Sequence, residues 1–367
     1  MIERYLNPEI NSIWDDQNKF DTWKLVQEKY VETLEELDVA ENGIAKKINQ
    51  SVVQKDEVYK QEEITNHDLA SFVDILQKKV GEGSNWIHYG LTSSDIVDTA
   101  NSVLIMQSLD YVKDLINDLL STLQEKAVQE KDTLIIGRTH GVYAEETFLG
   151  NIFGNWHLEV ARGLNRLENS KNNISFGKLS GPVGNHSVVT SEMEKLTLEK
   201  LNLKPEQFAN QIVSRDRYAE VVSSLGILAS TYERIATNIR SYQRSEISEM
   251  FESFKDGQKG SSAMPHKKNP IGSERITGLA RIMRSYVSTS LENMVLWNER
   301  DISNSSVERI MLPDVFHLIS FMSIELNSIL KHLVINYEQI NVNLEDAKNK
   351  SVSQKYLSYL VNNGVDR

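Results

Sequence analysis

Residues 218–242 read YAEVVSSLGILASTYERIATNIRSY. Val221, Leu225, Leu228, Tyr232, Ile235, Ile239 and Tyr242 recur there at alternating steps of four and three, so their side chains fall on one stripe of a helix, as in a heptad seam. No proline interrupts residues 216–252, and the pattern predicts one helix of about 50 Å at a rise of 1.5 Å per residue. Such a stripe must be covered along its length. Residues 96–129, with Val112, Ile116, Leu119 and Leu123 in similar register, are one candidate partner; 145–166, 272–297 and 306–333 are others. Together they predict an all-α fold built on a bundle of about five long helices.

Composition agrees with long helices. The 367 residues include only 6 prolines and 18 glycines, and a chain of this length can build a large core. The net charge of −12 repels polyanions, which argues against nucleic acid or an anionic membrane as partner, so a small anionic substrate would need a local basic pocket. Zero cysteines exclude disulfides, thiolate metal sites and a cysteine nucleophile. No metal-ligand spacing is visible, so neither metal nor cofactor is expected. The opening MIERYLNPEINSIW lacks the basic start and apolar core of a secretion signal, and no apolar run reads as a membrane span. The expectation is a cytoplasmic protein.

Three segments between the helical patterns, 85–95, 137–146 and 255–270, carry glycine, histidine, serine and threonine, and read as loops at helix ends where a bundle would expose catalytic groups. The last holds Gly260-Ser-Ser-Ala-Met-Pro-His-Lys-Lys-Asn-Pro270, which reads as an anion-binding lid. Taken singly, a Ser-Ser pair beside glycine is an ordinary turn or cap, a histidine after threonine an ordinary hydrogen-bonding residue, and adjacent lysines a solvated pair.

The lid segment as a whole resembles the signature loop of the fumarase/aspartase superfamily, and in its GSSAMPHK form is similar to that of adenylosuccinate lyases. His88-Tyr-Gly-Leu-Thr-Ser-Ser-Asp95 resembles the first conserved region of that family and Gly137-Arg-Thr-His-Gly-Val142 the second, with Ile2-Glu-Arg-Tyr5 and Ile13-Trp14 matching near the start. The resemblance implies three helical domains, 1–91, 92–341 and 342–367. Relatives usually continue several tens of residues further, so the last is expected to be a remnant. It also implies a homotetramer whose central helices share a core and whose sites are built from several subunits.

The chemistry implied is elimination of fumarate from adenylosuccinate to give AMP, with the succinylated imidazole carboxamide nucleotide as a second substrate. A base must take a proton from the carbon beside a carboxylate while an acid protonates the departing nitrogen. By resemblance Ser261 is the base and His140 the acid, with Lys267 stabilising the carbanion and Glu274 orienting His140. Arg4, Tyr5, Arg300, Ser305 and Arg309 match residues that hold the nucleotide and its phosphate, for which arginine forks are suited. Thr92, Ser93, Gln211 and Asn269 match those that hold the succinyl carboxylates. His67 and Asp68 match a pair lining the site, and Asn66, His88 and Thr139 adjoin these groups. Ser305 and Arg309, four apart, should share a helix face.

The chain also departs from the pattern. Asn66 stands where relatives usually carry arginine, Tyr143 replaces a second histidine, Glu146 a proline, and Asn298 and Asn304 stand where histidines are common. The alternatives are the same elimination on another succinyl-amine, or a weakened paralogue that only binds nucleotide. Retention of Ser261 and His140 argues for catalysis, and that of Arg300, Ser305 and Arg309 for a phosphate.

Overall fold

The computed structural model describes residues 1–254, 257, 264 and 267–366. In chain order, α1 (Pro8–Trp14), α2 (Asp16–Glu36), α3 (Ile44–Gln50), α4 (Lys55–Thr65) and α5 (Asp68–Val80) precede the first long helix, α6 (Ser93–Gln129). A hairpin of β1 (Leu134–Thr139) and β2 (Val142–Phe148) leads into α7 (Leu149–Ile174). Then come β3 (Phe176–Gly177), α8 (Ser191–Lys200), β4 (Lys204–Pro205), α9 (Arg215–Tyr242), β5 (Met250–Phe251) and α10 (Ile271–Glu292). α11 (Ser303–Lys331), β6 (Val334–Ile335), α12 (Tyr337–Ser351) and α13 (Ser353–Asn362) complete the order. The five long helices expected from periodicity are α6, α7, α9, α10 and α11. The strands form three two-stranded pairs, so the fold is helical in class.

The chain separates into two compact units. One comprises Met1–Lys113, Arg166–Leu225 and Arg284–Ser320; the other Asp114–Asn165, Gly226–Met283 and Phe321–Arg367. In the first, Phe20, Trp23, Phe72 and Leu76 meet Ile96 and Ala100 in one buried cluster. Phe20 stacks on Phe72 at 6.1 Å while Trp23 meets Phe72 edge-on at 5.6 Å, geometries that aromatic quadrupoles favour. In the second, the seam residues Leu228, Tyr232, Ile235 and Ile239 are fully buried. Gly163 of α7 lies against Leu228 so closely that a Cβ would come within 2.8 Å of it, and the Tyr232 hydroxyl meets Ser323 Oγ of α11 at 3.1 Å. Thr122 of α6 donates to Asn327 of α11 at 2.7 Å, and Arg275 of α10 to Glu325 at 2.9 Å.

Two sequence expectations are corrected. The helix expected over 216–252 ends at Tyr242, followed by a turn in which Ser248 takes φ 49° and the Glu249 N–H donates back to Tyr242 O. The next seam positions, 246 and 249, are both glutamate, so no apolar stripe remains to bury; lack of proline permits a helix but does not drive one. Segment 137–146, expected as a loop, is most of the β1–β2 hairpin, paired from Leu134↔Phe148 to Thr139↔Val142. His140 and Gly141 form its two-residue turn with φ 55° and 79°, the double left-handed conformation that matches strand twist.

α11 is, among the described residues, the one helix long and apolar enough to cross a membrane by length and composition, and 61% of its apolar window is buried inside the molecule. Pro313 sits inside this helix and removes one backbone hydrogen bond there.

Candidate active site

Within the first unit, three helices and two connecting segments bring expected nucleotide-binding groups together. His67 is the N-cap of α5, its Nδ1 accepting from the Ala70 N–H at 3.3 Å, which turns Nε2 toward Ser93 Oγ at 3.4 Å in the first turn of α6. Next to it, Asp68 Oδ2 accepts from Arg309 Nη2 at 2.5 Å, and Arg309 Nε reaches Ser305 Oγ at 3.5 Å, one helical turn earlier on α11. The expected shared face is therefore present. Burial pushes the Asp68 carboxyl up, but the Arg309 hydrogen bond and charge outweigh it and hold the group below the usual carboxylate range. Arg300 Nη1 donates to Ser94 Oγ at 3.0 Å and to Gln211 Oε1 at 3.3 Å, which joins a phosphate candidate to a carboxylate candidate. A cavity of about 410 Å³ opens beside Asp68, Ser305 and Arg309, with Trp14, Trp23 and Tyr59 in its wall.

The flanking candidates are held by local turns and by side-chain hydrogen bonds. Arg4 and Tyr5 lie in a single 3-10 turn, Glu3–Tyr5, with Arg4 exposed. The Thr92 N–H donates to Asp95 Oδ2 at 2.8 Å, which starts α6. His88 adopts φ 64° and is gripped by Gln27, whose Oε1 accepts from the His88 N–H and whose Nε2 donates to Nδ1, both at 3.0 Å. Burial, aided by nearby His67, pushes the His88 imidazole down to about 4, so it is neutral near pH 7.

The second unit holds the expected acid. His140 stands exposed at the hairpin turn, and its strand is tied down by Arg138, which makes a two-pronged pair with buried Glu249 at 2.8 and 2.7 Å. Thr139 is exposed beside it. Glu252 caps the start of α10, accepting from the Gly272 N–H at 3.1 Å and the Ser273 N–H at 2.6 Å, a favourable place for a carboxylate at a helix N-terminus. That cap places Glu274 with Lys267 and Asn269 around an open depression of about 800 Å³, which Arg240 and Arg244 also line. Glu274 and His140 form no hydrogen bond with each other among the described residues. Ser261 lies outside the described residues.

Sequence reasoning missed two buried ionic clusters. Asp95 pairs with Lys178, both fully buried, and also accepts from the Ser180 and Gly181 N–H groups at 3.2 Å. Arg215 donates Nη1 and Nη2 to Asp98 at 2.6 and 3.0 Å, and Nε and Nη2 to Glu308 at 2.8 and 3.0 Å, tying α9 to α6 and to the start of α11. The signal was available: Asp95, Asp98 and Ser102 continue the α6 apolar seam in phase with Ile105, Leu109 and Val112, and charges on a buried stripe need buried partners.

The departures have local accounts. Asn66 and Asn298 both sit at positive φ, 52° and 44°, where asparagine is among the residues best tolerated. Asn304 is fully buried and its Nδ2 donates to Glu308 Oε1 at 3.1 Å, joining the Arg215 cluster. The Tyr143 ring faces the Arg138 guanidinium at 5.2 Å and Lys350 Nζ at 5.7 Å, so it supports the His140 hairpin by cation–π contact. Glu146 pairs with Ile136 in the ladder, a position where proline would lack an N–H.

The chain is similar to known proteins over its whole length. A family model described as Lyase matches residues 18–283. Adenylosuccinate lyases of Thermotoga maritima and Aquifex aeolicus are 42% and 43% identical to the chain, each over 100% of it and 85% of the relative. That of Bacillus subtilis is 40% identical over 100% of the chain and 85% of the relative. Among solved structures, a fumarate lyase from Mesorhizobium sp. BNC1 superposes with a TM-score of 0.89 at 20% identity, covering 99% of this chain and 84% of that one. A 3-carboxy-cis,cis-muconate lactonizing enzyme from Pseudomonas putida gives 0.85 at 22%, covering 93% and 78%. At such identities these two speak to the fold alone.

Proposed function

Because the chain belongs to the adenylosuccinate lyase family, we propose that it eliminates fumarate from adenylosuccinate and releases AMP. The observation that carries this reading is the line of groups from Ser93 through His67 and Asp68 to Arg309 and Ser305, which presents the hydroxyl, imidazole and guanidinium groups that a succinylated nucleotide calls for. Arg4, Tyr5, Arg300, Ser305 and Arg309 take the phosphate end. Thr92, Ser93, Gln211 and Asn269 take the succinyl carboxylates, and Asn66, His88 and Thr139 border them.

In the reaction Ser261 removes a proton from the succinyl carbon beside the carboxylate, and the electron pair left there forms the double bond of fumarate as the carbon–nitrogen bond breaks. His140 gives its proton to the departing amine. A serine hydroxyl is a weak base near neutral pH, so Lys267 lowers the cost of both the alkoxide and the extra carboxylate charge. Glu274 orients His140, and the two meet when subunits of a homotetramer complete each other's sites. Exposed apolar side chains on the long helices, Leu158, Ile227, Ile282 and Ile324 among them, support such association. A monomeric mass by light scattering at micromolar concentration would contradict it.

The succinylated imidazole carboxamide nucleotide offers the same succinyl-amine and phosphate, and the same residues serve it. Acting on these two substrates, the protein serves purine synthesis, which on this reading takes place in the cytoplasm. Following ultraviolet absorbance with adenylosuccinate, argininosuccinate and aspartate in parallel tests the reading. A change with adenylosuccinate alone supports it, and turnover of either phosphate-free substrate in its place defeats it.

A further inference from the structure

Asn7, two residues after Tyr5, is almost fully buried and uses every polar group it has. Its Oδ1 caps α1, accepting from the Glu9 and Ile10 N–H groups at 3.0 and 3.1 Å. Its Nδ2 donates to the Tyr111 hydroxyl of α6 at 3.0 Å, and its backbone N–H donates to His317 Nδ1 of α11 at 3.0 Å. Ahead of this anchor, the Leu6 N–H donates to Glu3 O at 3.1 Å and the Tyr5 N–H to Ile2 O at 3.0 Å, which closes the turn bearing Arg4 and Tyr5 directly before Leu6 and Asn7.

His317 is 4% exposed and takes no part in the chemistry above. Because Nδ1 accepts a hydrogen bond, the ring is the neutral tautomer with its proton on Nε2. It lies eight residues beyond Arg309 on the same helix, about 12 Å at 1.5 Å per residue. One helix therefore carries both Ser305 and Arg309 and the acceptor that seats the segment bearing Arg4 and Tyr5. We infer that His317 is a positioning residue: through the Asn7 N–H it holds the Arg4–Tyr5 turn against the phosphate end of the site. Burial favours the neutral ring that this bond requires. The inference rests on the nucleotide reading above for its catalytic consequence, though not for the latch itself.

Two variants test it. His317→Leu removes the acceptor, whereas His317→Asn keeps an acceptor oxygen near the Nδ1 position. In His317→Leu, amide exchange in residues 1–14 should lose protection by about tenfold, and KM for adenylosuccinate should rise by about fivefold, as expected for one lost buried hydrogen bond. kcat should stay within about twofold, KM for the dephosphorylated nucleoside should not move, and His317→Asn should restore both protection and KM. Unchanged exchange in His317→Leu overturns the latch whether or not the protein turns over adenylosuccinate. An equal fall of kcat and thermal stability in both variants, without a selective change at residues 1–14, overturns it in favour of a packing role. Turnover failure in the wild type defeats the nucleotide reading, and exchange still decides the latch.

Discussion

Asp68 and Arg309 bridge the first turn of α5 and the first turns of α11, with Arg309 Nη2 donating to Asp68 Oδ2 at 2.5 Å. The carboxylate fixes one edge of the guanidinium, and Ser305 fixes Nε. The guanidinium is thereby partly oriented before any phosphate arrives, which reduces the ordering cost of binding.

Arg309→Ala should weaken kcat/KM for adenylosuccinate by roughly one to two orders of magnitude, because a charge-assisted hydrogen bond to phosphate contributes about 1.5–3 kcal/mol. The dephosphorylated nucleoside should respond little. Arg309→Lys should recover only part of the loss, since it restores charge without the fork. Equal losses on both substrates would make Arg309 a structural residue.

Removing the acid or the base should separate chemistry from binding. His140 occupies a left-handed turn position that asparagine also tolerates, so His140→Asn should keep the hairpin while lowering kcat by about 10²–10⁴. Ser261→Ala should abolish turnover and leave AMP affinity, measured by calorimetry, within about twofold of wild type. Retention of more than about a tenth of the rate in Ser261→Ala would remove Ser261 from the role of base.

The long helices were legible because their seams obey one period, and the shared face of Ser305 and Arg309 followed from spacing alone. The end of α9 at Tyr242 was not, because a stretch without proline resembles a helix until Glu246 and Glu249 break the seam. The β1–β2 hairpin was hidden for a related reason. Its turn residues His140 and Gly141 draw attention as chemistry, while Ile135, Ile136 and Thr147 carry the strand signal only once paired. Site residues were recognised as family segments, but the ion clusters beneath them, Asp95 with Lys178 and Arg215 with Asp98 and Glu308, lie far apart in sequence and needed the packed helices to be seen.

The Arg215 cluster should be the most sensitive point for stability in the first unit. Arg215→Met leaves Asp98 and Glu308 buried without their cation, a change that costs about 3–5 kcal/mol. A fall in Tm much larger than that of Arg309→Ala is expected in thermal denaturation. Equal Tm values would show that the cluster is relieved by water or by protonation of Glu308.

His88 gives stability a pH dependence. Its folded value is about 4 against about 6.5 when unfolded, so between these limits the unfolded chain binds the extra proton and stability falls as pH falls. The neutral ring is unpenalised above about pH 6.5, and roughly 3 kcal/mol is lost by pH 4. His88→Asn keeps a residue that accepts positive φ but removes the titration, so its Tm should decline less than the wild type's from pH 6.5 to 4. Parallel Tm curves would mean that His88 titrates alike in both states.

The most direct measurement is proton NMR of adenylosuccinate incubated with the purified protein. The account expects fumarate and AMP to appear in equal amounts as the succinyl signals disappear, at a rate that Ser261→Ala abolishes. Adenylosuccinate left intact by the wild-type protein, or consumed without fumarate, would contradict it.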